Sequence, residues 1–560
     1  MDEVLKVENL TVSFGSGADR QVAVKGLSYT LNRGETLAIV GESGSGKSVS
    51  SMALLGLLPP RTANIEAGVA TFEGRDLLTL PEAEKQAIRG DRITMIFQEP
   101  MTSLTPVLRI GLQLTEALVE HKDMTQAQAA ERAKEMLRLV GLDQVERRMR
   151  QFPHELSGGM RQRVMIAMAM AADPAILIAD EPTTALDVTV QAQILDLMRR
   201  LKGEFDTAII LITHDMGVVA EMADRVIVMN RGAKVEEGPV REIFAAPKDA
   251  YTRKLLDAVP RLGAYAQSTA PRSVVESPAP VGETLVRARG LNKTFSERGG
   301  LFRKGGAGTA AMQDVGFELC EGETLALVGE SGSGKSTTGR AVLRLIEVDE
   351  GSIEVDGVDV CGLSTSAMRK ARRRMQMIFQ DPFASLNPRI SVGKLVAEPM
   401  VIHGVASGSE LDDKVESLFL RVGLEADHIR RYPHEFSGGQ RQRLSIARAL
   451  GVGPKLIVAD EPTSALDVTV QMQVLALLDD MVRERGMGLI LISHDLNLVA
   501  SFCDRVIVMY GGRIMEVLEA GELTEAKHPY TRGLLNCAPE LDRAAEMLPV
   551  LERDPAWLDQ

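Results

Sequence analysis

The octapeptide GESGSGKS occurs twice in this chain, at 41–48 and again at 329–336. A chance match would stand alone, whereas duplication of a whole domain repeats other motifs at nearly the same offset. They do repeat. Lys47 and Lys335 are 288 positions apart, Gln98 and Gln380 are 282 apart, and the pairs Ser157/Ser437, Asp180/Asp460 and His214/His494 are each 280 apart. The slippage predicts short loop-like insertions ahead of Gln98 and Ser157 in the first half. At 560 residues the chain is too long for one hydrophobic core, and an apolar fraction of 45% suffices for several.

Between the repeats lies LGAYAQSTAPRSVVESPAPVGE, with three prolines and little periodicity, which reads as a linker over 262–283. The reading is therefore a first domain at 1–261, the linker, and a second domain at 284–560. A flexible tether of this length reaches roughly 25 Å and sets an effective concentration near the mM range, so the halves should pair with each other within one chain.

Each half has the same coarse order. TLAIVG and TLALVG are apolar runs that end in the glycine loop. ILIAD, IILIT and RVIVM in the first half, and LIVAD, LILIS and RVIVM in the second, read as further buried strands. Helical patterns such as TQAQAAERAKEMLRLVGL (125–142) alternate with them. Strands alternating with helices predict an α/β fold: two tandem domains, each a largely parallel sheet covered by helices on both faces.

GESGSGKS fits GxxxxGK[ST] between a strand and a helix, the context that makes the pattern a phosphate-binding loop. Its glycines let amide N–H groups turn toward phosphate oxygens, and the following helix adds its positive end. Lys47 and Lys335 would neutralise phosphate charge, and Ser48 and Ser336 would hold Mg²⁺. ILIADEP and LIVADEP put paired carboxylates at the end of a buried strand, which is costly unless a cation or a chemical task uses them. Asp180 and Asp460 suit the Mg²⁺ shell; Glu181 and Glu461 suit the group that polarises an attacking water. His214 and His494 follow apolar strands, where a terminal phosphate would sit. ELSGGMRQR and EFSGGQRQR each open a helix with a Ser-Gly-Gly turn, a second anion-binding surface in a half that already has one. Economy assigns that surface to the nucleotide of the other half.

At these residues the sequence resembles the nucleotide-binding domains of ABC transporters, over nearly the whole chain outside the linker and the last residues. Glycine loop, glutamine loop, LSGGQ-like signature, acidic strand, SALD-type loop and switch histidine follow the family order in both halves. The resemblance implies a helical subdomain and a small antiparallel β part beside each sheet, and a head-to-tail sandwich holding two ATP molecules with Mg²⁺. Site one would use Gly41, Glu42, Ser43, Gly44, Ser45, Gly46, Lys47 and Ser48 with Gln98, Asp180, Glu181 and His214, closed by Ser437, Gly438 and Gly439. Site two would use Gly329, Glu330, Ser331, Gly332, Ser333, Gly334, Lys335 and Ser336 with Gln380, Asp460, Glu461 and His494, closed by Ser157, Gly158 and Gly159. Gln98 and Gln380 are implied both in catalysis and in the Mg²⁺ shell. Phe14 and Phe295 lie where the family stacks an aromatic ring on adenine, although the segment GGLFRKGG follows Phe295. Met160 departs from the signature where the second half has Gln440. We expect two competent sites, not necessarily equal.

HPYTRGLL (528–535), a worn copy KDAYTRKLL (248–256), and FQDPFASLNP with FQEPMTSLTP resemble the subunits that energise dipeptide, oligopeptide and nickel importers. The fused form resembles importers of glutathione or peptide antibiotics. This implies two integral-membrane permeases, an extracytoplasmic solute-binding protein, and a peripheral position on the cytoplasmic face of the bacterial inner membrane. No apolar run approaches the ~20 residues that cross a bilayer, and MDEVLKVENL is acidic where a secretion signal is basic. Some relatives carry a cysteine-rich tail for an iron–sulfur cluster; only Cys537 lies in this tail, so that cofactor is not carried over. The alternative is a soluble twin-cassette ATPase acting on ribosomes or nucleic acid, toward which RKARRRMQ (369–376) points. The net charge of −13 and the short proline-containing linker argue against it, and no nucleic acid is expected. A DNA-repair ATPase would need zinc cysteines or a long coiled coil; the four cysteines are scattered without a CxxC pair.

Overall fold

The computed structural model describes residues 2–17, 20–98, 103–184, 186–260, 282–295, 308–463, 466–539 and the isolated positions 549, 551, 554, 557 and 558. The linker read at 262–283 falls outside them apart from its last two residues, and so does GGLFRKGG.

In the first half the strands are β1 (Glu3–Phe14), β2 (Gln21–Asn32), β3 (Thr36–Val40), β4 (Ala63–Phe72), β5 (Arg75–Asp76), β6 (Ile93–Ile96), β7 (Ile176–Asp180), β8 (Ala208–Ile212), β9 (Arg225–Asn230) and β10 (Ala233–Pro239). They form two sheets. The larger runs β10-β9-β3-β8-β7-β6 and is parallel except at the β10–β9 edge. Every residue of β3, β7 and β8 is buried, as continuous apolar runs covered on both faces require. The smaller sheet, β2-β1-β4-β5, is antiparallel.

The second half repeats this plan with β11 (Thr284–Phe295), β12 (Thr309–Cys320), β13 (Thr324–Val328), β14 (Glu350–Val355), β15 (Val358–Asp359), β16 (Met375–Ile378), β17 (Leu456–Asp460), β18 (Gly488–Ile492), β19 (Arg505–Tyr510) and β20 (Arg513–Glu519). Its sheets run β16-β17-β18-β13-β19-β20 and β12-β11-β14-β15, so each half has the mixed sheet and small antiparallel part expected of it. One expectation needs correcting. The insertion ahead of Gln98 is not only loop: β4 has 10 residues where β14 has 6. The extra residues keep pairing with β1 as far as Phe14, opposite Ala63, and backbone groups paired in a ladder cost less than groups left to a loop.

The helical subdomain lies between β6 and the helix Gly158–Met170. It contains the helices Ile110–His121, Gln126–Leu139 and Val145–Arg150. The 125–142 pattern forms as read. Thr125 caps the helix by accepting from the Gln128 N–H, and Gln128 returns the bond, while Ala129, Ala133, Met136 and Leu137 face the core.

Two repeated glycines let subdomain elements approach closely. A Cβ at Gly111 would lie 2.8 Å from the Met149 carbonyl oxygen, and one at Gly393 would lie 2.8 Å from that of Ile429. Gly203 differs: it sits inside the helix Val188–Phe205 with nothing within 4 Å of a Cβ. Gly393→Ala should therefore destabilise the protein by about 1–3 kcal/mol through overpacking. Gly203→Ala should stabilise it by about 0.5–1 kcal/mol through helix propensity. Shifts of opposite sign in thermal unfolding check both.

Candidate nucleotide sites

Each glycine loop leaves a fully buried strand and enters a helix, Lys47–Leu54 or Lys335–Val342. The bends need glycine. Gly41, Gly44 and Gly46 have φ of 145°, 78° and 96°, and a Cβ at Gly41 or Gly46 would collide with the carbonyl oxygen of Met229 or Ala23. Gly329, Gly332 and Gly334 repeat this with φ of 140°, 83° and 103°. Lys47 Nζ donates to the Gly41 and Glu42 carbonyl oxygens at 2.7 and 3.0 Å, and Lys335 Nζ to those of Gly329 and Glu330 at 2.6 and 2.7 Å. Burial lowers the pKa of both ammonium groups, opposed by nearby carboxylates.

The acidic strand ends point back at these loops. Ser48 Oγ donates to Asp180 at 3.0 Å, and Ser336 Oγ to Asp460 at 2.8 Å. Burial pushes the Asp180 carboxyl up to about 6, and the charge of Glu181 adds to this against the Ser48 hydrogen bond. Asp460 is raised by burial too, but Arg340 lies 3.6 Å away and opposes the rise. The position matching Arg340 in the first half is Met52.

Glu181 and Glu461 occupy the left-handed region, with φ of 50° and 46°, a conformation that costs a non-glycine residue on the order of 1 kcal/mol. The strain turns each carboxylate out of the sheet toward the same neighbours. Gln98 Nε2 donates to Glu181 at 2.8 Å, Thr184 Oγ1 donates to it at 2.9 Å, and His214 Nδ1 lies 3.1 Å away. In the second half Gln380 Nε2 donates to Glu461 at 2.7 Å and His494 Nδ1 lies 3.3 Å away. Burial alone would raise both glutamates and lower both histidines. Their mutual hydrogen bond and charge outweigh it, holding the glutamates low and the histidines high.

Ser157 and Ser437 cap the helices Gly158–Met170 and Gly438–Leu450. Ser437 shares a reciprocal cap with Gln440; Met160 has no group to return that bond to Ser157. A Cβ at Gly159 or Gly439 would press on Val190 or Val470, whereas Gly158 and Gly438 face open space. Phe14 ends β1 half-buried opposite Gln21 and Ala63; Phe295 is 48% exposed with Lys293 Nζ 5.8 Å from its ring centre.

What meets each phosphate loop from the opposite half is the SALD-type aspartate. Asp467 accepts from the Ser43 N–H at 3.4 Å, and Asp187 from the Ser331 N–H at 3.2 Å. One cleft is accordingly lined by Ser43, Lys47, Ser48, Gln98, Glu181 and His214 together with Asp467. Two tyrosines missed as site residues also reach the loops. The Glu42 N–H donates to Tyr251 Oη at 3.2 Å, and the Glu330 N–H to Tyr530 Oη at 3.0 Å. Their signal lay in KDAYTRKLL and HPYTRGLL, where the tyrosines are 279 positions apart.

Two identical phosphate loops, each backed by an acidic strand and met by an aspartate from the opposite half, define a twin-cassette nucleotide-binding protein. The ABC transporter family model matches residues 24–184 and 312–464, and the chain belongs to that family. A second model, the oligopeptide/dipeptide transporter C-terminal region, matches 235–282 and 515–559. The chain is similar to the glutathione import ATP-binding protein GsiA of Salmonella paratyphi A, at 48% identity over 96% of this chain and 90% of that one. It is also similar to the proteins of the same name from Pectobacterium atrosepticum, at 47% over 96% and 90%, and from Escherichia coli O157:H7, at 48% over 96% and 89%. Among solved structures, a dimeric ATP-binding cassette in a post-hydrolysis state bound to ADP and Pi aligns with 42% of this chain and 99% of its own, at 29% identity and a TM-score of 0.39.

The Glu181–His214 pair makes a direct prediction. In Glu181→Gln the acceptor charge is gone while burial stays, so His214 should titrate below its ordinary value of about 6.5 instead of above it. With 8 histidines in the chain, selective ¹⁵N labelling resolves the shift.

Proposed function

We propose that this protein is the ATP-hydrolysing motor of an importer that takes up peptides of the glutathione or oligopeptide class through separate membrane permeases. The observation that carries the reading is the doubled Gln–Glu–His constellation, each copy set beside a phosphate loop that an aspartate of the opposite half touches. In this reading Gly41 to Ser48 hold one ATP and Gly329 to Ser336 the other. Ser437, Gly438 and Gly439 close the first site, and Ser157, Gly158 and Gly159 the second. Phe14 and Phe295 flank the adenines. The two domains are residues 1–261 and 284–560, joined by 262–283.

Glu181 and Glu461, held ionised by their histidines, are poised to accept a proton from a water, and Gln98 and Gln380 orient it. The donor set suits Mg²⁺. Ser48 and Asp180 present oxygens together, and an aspartate whose burial holds its pKa near 6 is one that a divalent cation would return to its ionised form. Ser48, Asp180 and Gln98 would hold one ion and Ser336, Asp460 and Gln380 the other. When bound, Mg²⁺ supplies charge that neutralises the terminal phosphates.

The names of the relatives and the match to the oligopeptide/dipeptide transporter C-terminal region support import of small peptides. Among the described residues no helix is long and apolar enough to cross a membrane. In this reading two integral-membrane permeases form the passage, an extracytoplasmic solute-binding protein delivers the peptide, and the motor sits on the cytoplasmic face of the bacterial inner membrane. The basic run that favoured ribosomes or nucleic acid is partly occupied within the fold: Arg374 pairs with Asp356, and Arg372 donates to the Arg344 carbonyl oxygen.

Replacing Glu181 or Glu461 by Gln, one at a time, should each slow ATP turnover by about 10²- to 10⁴-fold, the worth of a positioned base. An unchanged rate in either variant rules out two cooperating sites. The doubly substituted protein, tagged and purified with ATP from its native host, should bring down two polytopic permeases. Recovery of ribosomes or nucleic acid without a permease would replace the import reading with the twin-cassette alternative.

A further inference from the structure

The two phosphate loops share one sequence, yet the molecule holds them differently. At the second loop Glu330 is only 4% exposed, and its carboxylate lies 2.8 Å from Thr189 Oγ1 of the first half, sharing that hydroxyl's one proton with Asp187 Oδ1 at 2.6 Å. The backbone N–H of the same residue donates to Tyr530 Oη, and Tyr530 is fully buried, with its ring 4.6 Å from that of Tyr510 and 5.4 Å from that of Trp557. The helix Pro529–Cys537 that carries Tyr530 packs in turn on the first half's helix Val188–Phe205, with Cys537 against Ala192. Pro539 lies against Gly217, so closely that a Cβ there would stand 2.8 Å from it. Thr189, Glu330 and Tyr530 thus form one connected path from the first half, through the second loop, to a C-terminal element that itself rests on the first half.

Among the described residues the first loop has no matching path. Its bonds to Asp467 and Tyr251 are longer, 3.4 and 3.2 Å, and Glu42 and Tyr251 are only half-buried. Thr469 stands where Thr189 stands in the other half, but it is half-buried, and among the described residues it shares no hydrogen bond with Glu42. Met472, which matches Ala192, is 39% exposed where Ala192 is 1% exposed. A hydrogen bond to a charged group strengthens as water is excluded, so the second loop is the more firmly docked.

We infer that Thr189, Glu330 and Tyr530 clamp the second phosphate loop to the first half, so that nucleotide leaves this loop more slowly than it leaves the first. The inference rests on the two-site reading above. Release from a closed site requires the half opposite to move off the loop, and here that motion must also break the buried Thr189–Glu330 contact, for which Tyr530, on the loop's own half, holds the Glu330 backbone in place. All three are positioning residues: they act on the loop backbone and on the opposite half.

The test uses the full chain and Mg²⁺ with mant-ADP as probe, chased by excess unlabelled ADP in a stopped-flow instrument. Lys47→Ala leaves the second loop to report, and Lys335→Ala leaves the first. Release from the second loop should be about fivefold to tenfold slower, the scale of one net hydrogen bond. Thr189→Val, which keeps side-chain shape and removes the hydroxyl, should bring that rate to within about twofold of the first loop's. Thr469→Val in the Lys335→Ala chain should move its rate by less than about twofold, which separates a clamp from general loosening of the interface. Tyr530→Phe, which keeps the ring and removes the acceptor oxygen, should also speed release and serves if Thr189→Val folds poorly. Equal rates in the two single-loop chains overturn the clamp, as does slow release that survives both Thr189→Val and Tyr530→Phe. If neither single-loop chain binds mant-ADP, the phosphate-loop assignment falls and the clamp falls with it.

Discussion

The contact on which the rest of this molecule depends is a carboxylate of one half accepting from a phosphate-loop amide of the other: Asp187 on Ser331 and Asp467 on Ser43. A glycine loop exposes several backbone N–H groups that have no partner in its own strand or helix, and such groups are costly unless something accepts from them. Here the acceptor comes from across the join. Because each aspartate also caps the helix that follows it, by accepting from the Val190 or Val470 N–H, a displacement of one half is transmitted to the axis of a long helix. The halves are coupled at the points where nucleotide chemistry is proposed, and a single half would leave its loop unfinished.

Around these contacts the protein concentrates features that a fold selected for stability alone would avoid. Asp180 and Glu181 are adjacent carboxylates at the end of a buried strand, and Glu181 is held in a left-handed conformation. The conflict is resolved by dividing the two groups between environments. Asp180 faces the phosphate loop, where burial outweighs the Ser48 hydroxyl and the Lys47 charge and drives it toward its neutral form. Glu181 turns the other way, to a histidine, a threonine and a glutamine, and stays charged. Pushing neighbouring pKa values apart in this way is a common arrangement where one group binds a cation and the other handles a proton. The second half repeats it, with Arg340 as a modest difference.

Much of this was legible before any coordinates. The buried strands were readable because a run such as TLAIV, apolar at every position, has few other stable homes. The glycine loops, the paired carboxylates and the histidines were readable because each departs from ordinary packing and does so twice at matched spacing. What could not be read were the long-range partners of residues inside such motifs. Tyr530 lies in the repeated HPYTRGLL, but nothing in that motif says that it reaches the Glu330 N–H, 200 positions away in sequence. The lengthening of β4 was equally hidden, since extra residues in a β-rich segment read the same whether they loop out or continue a ladder.

The sequence by itself determined that there are two like domains, which buried strands carry each glycine loop and acidic pair, and which side chains are candidates for phosphate chemistry. These follow from local pattern and from repetition, and both survive without knowledge of the fold. Only the tertiary structure decided where the two copies differ in burial. The second half's C-terminal helix lies over the first half's Ala192, while the matching Met472 is left open. Identical loops therefore differ at one residue, Glu330 being buried where Glu42 is half-buried. Burial is a property of what packs against a residue, and for Glu330 and Thr189 that neighbour comes from the other end of the chain.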